Sequence, residues 1–100
     1  MEERAGHAIQ IANIGFEETT TTIYVQNIGE GTLHLDSVSI DEDAFIITSS
    51  NCTVAAEATT TLEAGRTAAI TVNRGYHQKV HIKVSCRDGT FIESDWTPAL

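Results

Sequence analysis

The fold class is decided by residues 80–93, which read VHIKVSCRDGTFIE. Apolar and polar residues alternate from Val80 to Cys86, and this period of two places alternate side chains on opposite faces of a strand. The pair Asp88-Gly89 is typical of a tight turn, and it joins this strand to a second one at residues 90–93. The stretch therefore predicts an antiparallel hairpin that buries one face and exposes the other.

The same period of two recurs through the rest of the chain. It predicts strands at residues 9–15, 21–26, 32–40, 44–48 and 67–73. Between the second and third strands, Gly29 and Gly31 are expected to supply positive φ angles for a turn. A change of parity within the third strand predicts a β-bulge near Asp36. Residues 49–61 predict a long connection that includes an edge strand, with a short helix within residues 53–64 as the alternative.

Seven or eight short strands, about 10 residues apart, predict an all-β fold. We interpret it as an immunoglobulin-like β-sandwich of two antiparallel sheets. The disulfide pattern of true immunoglobulin domains is absent, because Trp96 lies outside the two cysteines and Val84 occupies the usual tyrosine position.

The length and charge of the chain restrict its function. One hundred residues allow a single domain, residues 1–100, in which we expect residues 1–7 to be a linker or a disordered N-terminus. No apolar run is long enough for a membrane span or a signal peptide. Fourteen Asp and Glu against six Lys and Arg give a net charge of −8, which repels the phosphates of nucleic acids. Membrane embedding and nucleic-acid binding are therefore disfavoured.

Charge is distributed unevenly along the chain. Residues 1–65 carry eleven acids and one arginine, whereas residues 66–100 carry five Lys or Arg and three acids. The second segment predicts an interaction face that consists of Arg74, His77, Lys79, His81, Lys83 and Arg87. Such a face would bind the acidic face of a neighbouring copy, and strand addition at a sheet edge is a second route to assembly. The alternative is a solvated face whose cations pair with local acids.

Cys52 and Cys86 are the only cysteines, and 33 residues separate them. A disulfide between them would contribute about 3 to 4 kcal/mol and would indicate an oxidising, extracellular setting. The alternative is a pair of buried free thiols that behave as small apolar residues. The tripeptide Asn51-Cys52-Thr53 is an N-glycosylation acceptor, so Asn51 is a candidate glycan site.

Catalytic and metal-binding patterns are not found in the sequence. Nucleophilic catalysis needs a Cys or Ser close to a His, but alternation places His81 and Cys86 on opposite faces of one strand. His77 and His81 would lie about 13 Å apart at about 3.3 Å per residue, too far to share one metal ion. The residue spacing of a calcium-binding loop is also absent. We therefore interpret the acidic residues of this part of the chain as solvated: Asp36, Asp41, Glu42 and Asp43. We predict a protein that is not an enzyme and has no cofactor.

Three segments resemble sequence motifs that recur in archaeal secreted β-sandwich domains. Residues 23–40 read IYVQNIGEGTLHLDSVSI, a strand followed by Asn-x-Gly and a second strand. Residues 62–72 contain a turn of Leu, Gly and Thr before a strand, and residues 81–90 resemble the penultimate hairpin of those domains. The similarity spans about residues 9–97. It is to the globular heads of type IV pilin-like proteins, archaellum filament proteins and archaellum stator proteins.

This resemblance implies an extracellular, non-enzymatic domain that mediates protein contacts in a cell-surface filament or in its envelope anchoring. The expected partners are further copies in a filament or a surface-layer protein. In that family an apolar N-terminal helix precedes the head. The chain begins MEERAG, without such a helix. We therefore expect a head domain with an added methionine, connected to a membrane only through the missing helix.

Two other functions are open from the sequence. An accessory module that binds carbohydrate or another ligand would need exposed aromatic rings, for which Tyr24, Tyr76 and Trp96 are the candidates. An intracellular immunoglobulin-like scaffold would keep both cysteines as free thiols.

Overall fold

The structure, a computed structural model, describes residues 6–99 and is built from strands. In chain order the strands are β1 (Ile9–Phe16), β2 (Thr21–Asn27), β3 (Leu33–Ile40), β4 (Asp43–Ile46), β5 (Cys52–Val54), β6 (Glu57–Ala58), β7 (Thr61–Leu62), β8 (Thr67–Val72), β9 (Val80–Cys86) and β10 (Phe91–Trp96). Within residues 6–99 there is no helix, and hence none that could cross a membrane. The all-β prediction is confirmed.

The strands form two antiparallel sheets. The first sheet has the order β1-β2-β8-β5-β6, and the second has the order β10-β9-β3-β4, with β7 paired to β3. Every strand pair is antiparallel. The predicted β-sandwich of two antiparallel sheets is therefore confirmed.

The core consists of alternate residues of the longer strands. In β9 the inward residues, none more than 4% exposed, are Val80, Ile82, Val84 and Cys86. In β2 the inward residues Ile23 and Val25 are fully buried. Each fully buried aliphatic side chain contributes about 1.5 to 3 kcal/mol, so this alternation determines which face of each strand turns inward.

The structure shows irregularities in strand register and strand number, only some of which the sequence predicts. The register of β3 against β9 shifts between Leu35 and Ser37, which confirms the predicted bulge. A second shift, between Ile11 and Asn13 of β1, was not predicted. Residues 6–99 form ten strands rather than the predicted seven or eight, because the long connection forms the three short strands β5, β6 and β7. No helix forms there, since its residues pair with β8 and β3 instead.

The loop after β2 is held by Asn27, which is fully buried. Its Nδ2 donates to the carbonyl oxygens of Gly31 and Leu62, each at 3.0 Å, and its Oδ1 accepts from the Gly29 amide at 3.1 Å. Gly31 has a φ of 78°, as expected. Gly29 does not have a positive φ; it is needed because a Cβ there would clash with the carbonyl oxygen of Gly6. The Asn-x-Gly sequence thus serves packing as well as turning.

Residues 1–5 of the predicted N-terminal linker lie outside the described residues. The two that follow contact the domain. The Gly6 carbonyl accepts from the Glu30 amide at 2.6 Å. His7 Nδ1 shares a hydrogen bond with Asp88 Oδ2 at 2.7 Å, and hydrogen bonds from Thr90 and His7 hold the pKa of Asp88 below its usual value although partial burial opposes this.

Candidate functional site

The outer face of β9 and β10 carries charged side chains in register. Glu93 lies opposite Lys83, and Asp95 lies opposite His81. We define the charged face as the surface formed by Lys79, His81, Lys83, Phe91, Glu93 and Asp95. It contains the centre of the predicted interaction face, together with acids that the prediction did not include.

His81 is held between two carboxylates on this face. Its Nε2 lies 2.8 Å from Glu93 Oε1, and its Nδ1 lies 2.7 Å from Asp95 Oδ1. Hydrogen bonds to Glu93 and then Asp95 raise the pKa of His81, and the bond from His81 lowers the pKa of Asp95. Lys79 Nζ also lies 3.6 Å from Asp95 Oδ2. Lys79 and His81 therefore pair with local acids, as in the alternative interpretation, and the surface carries both signs of charge rather than positive charge alone.

Lys83 contacts an aromatic ring rather than an acid. Its Nζ lies 4.6 Å from the centroid of Phe91, a cation–π contact, and Phe91 is 51% exposed. In register, Phe91 is followed across the sheet by Ser85, Ser37 and then Ile46, which is 69% exposed. Two exposed apolar side chains are thus separated by two serines, over about 14 Å at three strand spacings.

The other residues of the predicted interaction face lie apart from β9. Arg74 and His77 are in the β8–β9 connection, and Arg87 is in the β9–β10 turn. Arg74 Nη1 lies 3.0 Å from Asp43 Oδ2, and its guanidinium is 5.5 Å from the centroid of Tyr76. His77 lines a depression of about 240 Å³ with Phe16, Glu17, Glu18 and Tyr76. The six residues therefore do not form one continuous patch.

No disulfide joins Cys52 and Cys86; both are free and buried. They belong to opposite sheets, Cys52 in β5 and Cys86 in β9. Burial raises the pKa of each thiol to about 11, so the reactive thiolate is scarce in the folded protein. The structure does not show the predicted disulfide, and its cysteines have the form of the alternative, two buried thiols that behave as small apolar residues.

Asn51 lies in the turn between β4 and β5, and its side chain is already hydrogen-bonded. Its Nδ2 donates to the Ile46 carbonyl at 3.0 Å, and its Oδ1 accepts from the Thr48 amide at 2.9 Å. A glycan on Nδ2 would leave one N–H for the bond to Ile46. Glycosylation of Asn51 stays a prediction.

The three candidate aromatic rings differ in accessibility. Tyr76 is buried, and its hydroxyl donates to Asp43 Oδ2 at 3.0 Å; burial, followed by this bond, raises its pKa to about 12. Trp96 is partly buried against the core, and its Nε1 donates to Ser94 Oγ at 2.8 Å. Tyr24 is 37% exposed on the outer side of β2. Of these candidates, Tyr24 is the most exposed ring.

The outer side of the first sheet is almost free of charge. Across β1, β2, β8, β5 and β6, all within the described range, Glu57 is the one charged residue, and it pairs with inward-facing Val54 at the sheet edge. We define the uncharged face as the surface formed by the outward residues of these strands: Gln10, Asn13, Gly15, Thr22, Tyr24, Gln26, Thr53, Ala58, Thr67, Ala69 and Thr71. The sequence analysis did not identify this face, although every second residue of the predicted strands at 9–15, 21–26 and 67–73 lacks a charge.

Metal-ligating side chains do not form a binding cluster in the part of the chain that the structure describes. It contains no cluster of three or more His, Cys, Asp or Glu that could hold a metal ion. Asp41 instead has a structural role, because its Oδ1 accepts from the His81 amide at 2.9 Å and its own amide donates to the His81 carbonyl. The expected separation of His81 and Cys86 also holds, with His81 exposed and Cys86 buried.

Comparisons with known proteins find no matching family model and no matching curated protein. Among solved structures, the fold is similar to a chain of the archaellum periplasmic stator protein complex FlaF and FlaG from Sulfolobus acidocaldarius. The TM-score is 0.61, with 16% sequence identity over 88% of this chain and 87% of that one. At this identity the similarity shows a shared fold.

Proposed function

We propose that this domain is a non-catalytic, extracellular module that mediates protein–protein contacts in an archaeal surface filament or in its anchoring to the envelope. The supporting observation is the fold, which is shared almost end to end with a chain of an archaellum stator complex. The three sequence segments that resemble archaeal surface β-sandwiches agree with it.

The charged face is the surface we assign to these contacts. Exposed aromatic and aliphatic side chains anchor protein interfaces, and Phe91 and Ile46 provide such anchors on one sheet. Charges around an anchor determine orientation and partner choice more than affinity. The mixed charges of the face are complementary to a partner surface that also carries both signs, such as another copy or a surface-layer protein.

Cross-linking tests this proposal. The purified domain is cross-linked to envelope fractions of its host, and the products are identified by mass spectrometry. We expect a filament or surface-layer protein, and about thirtyfold weaker binding, and hence less product, with Phe91→Ala, since interface hot spots contribute about 2 kcal/mol or more. The contact should also weaken with salt, because exposed charges are screened within about 10 Å at 0.1 M.

Tyr24→Ala, on the opposite side of the sandwich, is the matched control and should leave the yield unchanged. Filaments of a deletion strain are imaged in parallel. Normal filaments together with no cross-linked envelope protein would contradict the proposal.

A further inference from the structure

We propose that the uncharged face binds a neutral carbohydrate, an activity beyond the protein contacts assigned to the charged face. The face covers the outer side of five strands in a protein of net charge −8. Its side chains offer hydroxyl, amide and aromatic groups. A neutral glycan presents the complementary groups, namely hydroxyls and the apolar faces of sugar rings.

Hydrogen bonds between neighbouring strands hold the polar side chains in place. Gln10 Nε2 donates to Gln26 Oε1 at 3.1 Å, and the hydroxyls of Thr22 and Thr71 are 3.1 Å apart. These bonds leave the Gln26 amide group, the Gln10 oxygen and one threonine hydrogen available for further bonds. Because these side chains are already ordered, they lose less conformational entropy when a ligand binds.

Tyr24 lies between these two pairs and supplies the ring for stacking. Its neighbours in register are Asn13 on β1 and Ala69 on β8. Alanine has a short side chain, so Ala69 does not cover the face of the Tyr24 ring that is turned toward β8. Beyond Ala69 lies Thr53 of β5, about 10 Å from Tyr24 at two strand spacings. This surface is open and flat, which suits an extended polysaccharide chain better than a single sugar.

The composition of the face argues against other partners. Protein interfaces are built around clusters of apolar and aromatic anchors, whereas this face has one aromatic ring and no large aliphatic side chain. Anionic polymers are repelled by the net charge of the protein, and the face has no cation to attract them. A neutral ligand avoids both obstacles.

Native gel electrophoresis with polysaccharides cast into the gel tests the proposal. The probes are dextran, mannan and galactan as neutral polymers and alginate as an anionic one. We expect the full chain to be retarded by at least one neutral polymer and not by alginate. Tyr24→Ala should weaken the apparent affinity about tenfold, whereas Tyr24→Phe, which keeps the ring, should be retarded almost as much as the unchanged protein.

Two further variants separate binding from folding. Ala69→Lys leaves the ring and the core intact but places a charged chain beside Tyr24, and we expect it to weaken retardation as well. Phe91→Ala removes an exposed ring from the charged face and should leave retardation unchanged. Thermal unfolding of each variant verifies that it is folded.

Two outcomes would overturn the proposal. One is the absence of retardation by all three neutral polymers, or retardation that Tyr24→Ala leaves intact. The other is a dimer in analytical ultracentrifugation that Ala69→Lys dissociates, without binding to any neutral polymer, which would make the face a contact between copies. Neither outcome affects the cross-linking assigned to Phe91, so failure here is distinguishable from failure of the proposed protein contacts.

Discussion

Replacement of Asn27 by alanine removes three hydrogen bonds at once, because one buried amide satisfies Gly29, Gly31 and Leu62. Buried backbone groups left without partners cost free energy, so we expect the free energy of unfolding to fall by about 3 kcal/mol. Urea denaturation measures the change. Asn13→Ala, an exposed strand asparagine, is the control and should change stability by less than about 0.5 kcal/mol. Equal effects of the two substitutions would contradict this role of Asn27.

The turn between β5 and β6 contains two alanines in the left-handed region, Ala55 with φ of 54° and Ala56 with φ of 69°. Side chains are disfavoured there by about 1 to 2 kcal/mol, whereas glycine adopts it freely. We expect Ala56→Gly to raise the free energy of unfolding by about 0.5 to 1 kcal/mol, since the relief of strain exceeds the added entropy of the unfolded chain. Ala58→Gly, in the adjoining strand, should lower it. Thermal unfolding of the two variants compares them, and equal shifts would contradict the strain.

At the scale of elements, β9 and β10 are linked by the His81 cluster, whose charge depends on pH. The raised pKa of His81 means that its stabilising contribution is complete below the unfolded value of about 6.5 and is lost as the pH rises through the folded pKa. The lowered pKa of Asp95 has the opposite sign, and its contribution is lost as the pH falls below about 3.8. The cluster therefore contributes most between these values.

NMR titration of the His81 ring measures this directly. We expect a pKa above 6.5, and a lower value in Glu93→Gln, because the largest cause of the shift is the bond to Glu93. Glu63→Gln, remote from the cluster in sequence and outside its hydrogen bonds, should leave the titration unchanged. A His81 pKa at or below 6.5 in the unchanged protein would refute the paired geometry.

How well an element is predicted from sequence depends on its length. The seven residues of β9 show the alternation in full, and the parity change in β3 locates its bulge, because each signal is local. The strands β5, β6 and β7 have two or three residues each, too few to show a period. They exist because distant residues pair with them, as Cys52 does with Ile70, and no local pattern records such pairing.

At the scale of the whole molecule, the sequence suggested that charge differs between its two segments, but folding sorts charge by face. Strands from both segments, β2 and β8, combine into the uncharged face, while β9 brings cations beside the acids of β10. Of the predicted interaction face, only Lys79, His81 and Lys83 accordingly lie on the charged face. Identifying the uncharged face needs the strand order, which the sequence pattern did not provide.

The buried thiols give a prediction about the intact fold. With a pKa of about 11, roughly one thiol in a thousand is ionised at pH 8, and both sulfur atoms lie in buried residues. We expect Cys52 and Cys86 to react with a thiol reagent only in denaturant, where two equivalents should be titrated without a reductant. Rapid reaction of the native protein, or no reaction after unfolding, would be inconsistent with this state. Intact mass of the same sample reports any glycan on Asn51.

The position of Asn27 has a consequence for how the two layers separate. Asn27 belongs to β2 of the first sheet, whereas Leu62, which accepts its amide hydrogen, belongs to β7, which pairs with β3 of the second. The Gly65 amide also donates to the Asn27 carbonyl. We therefore expect amide exchange with deuterium at Gly29 and Gly65 to proceed at similar rates, because both amides are bonded to Asn27, the residue whose side chain also connects the two layers.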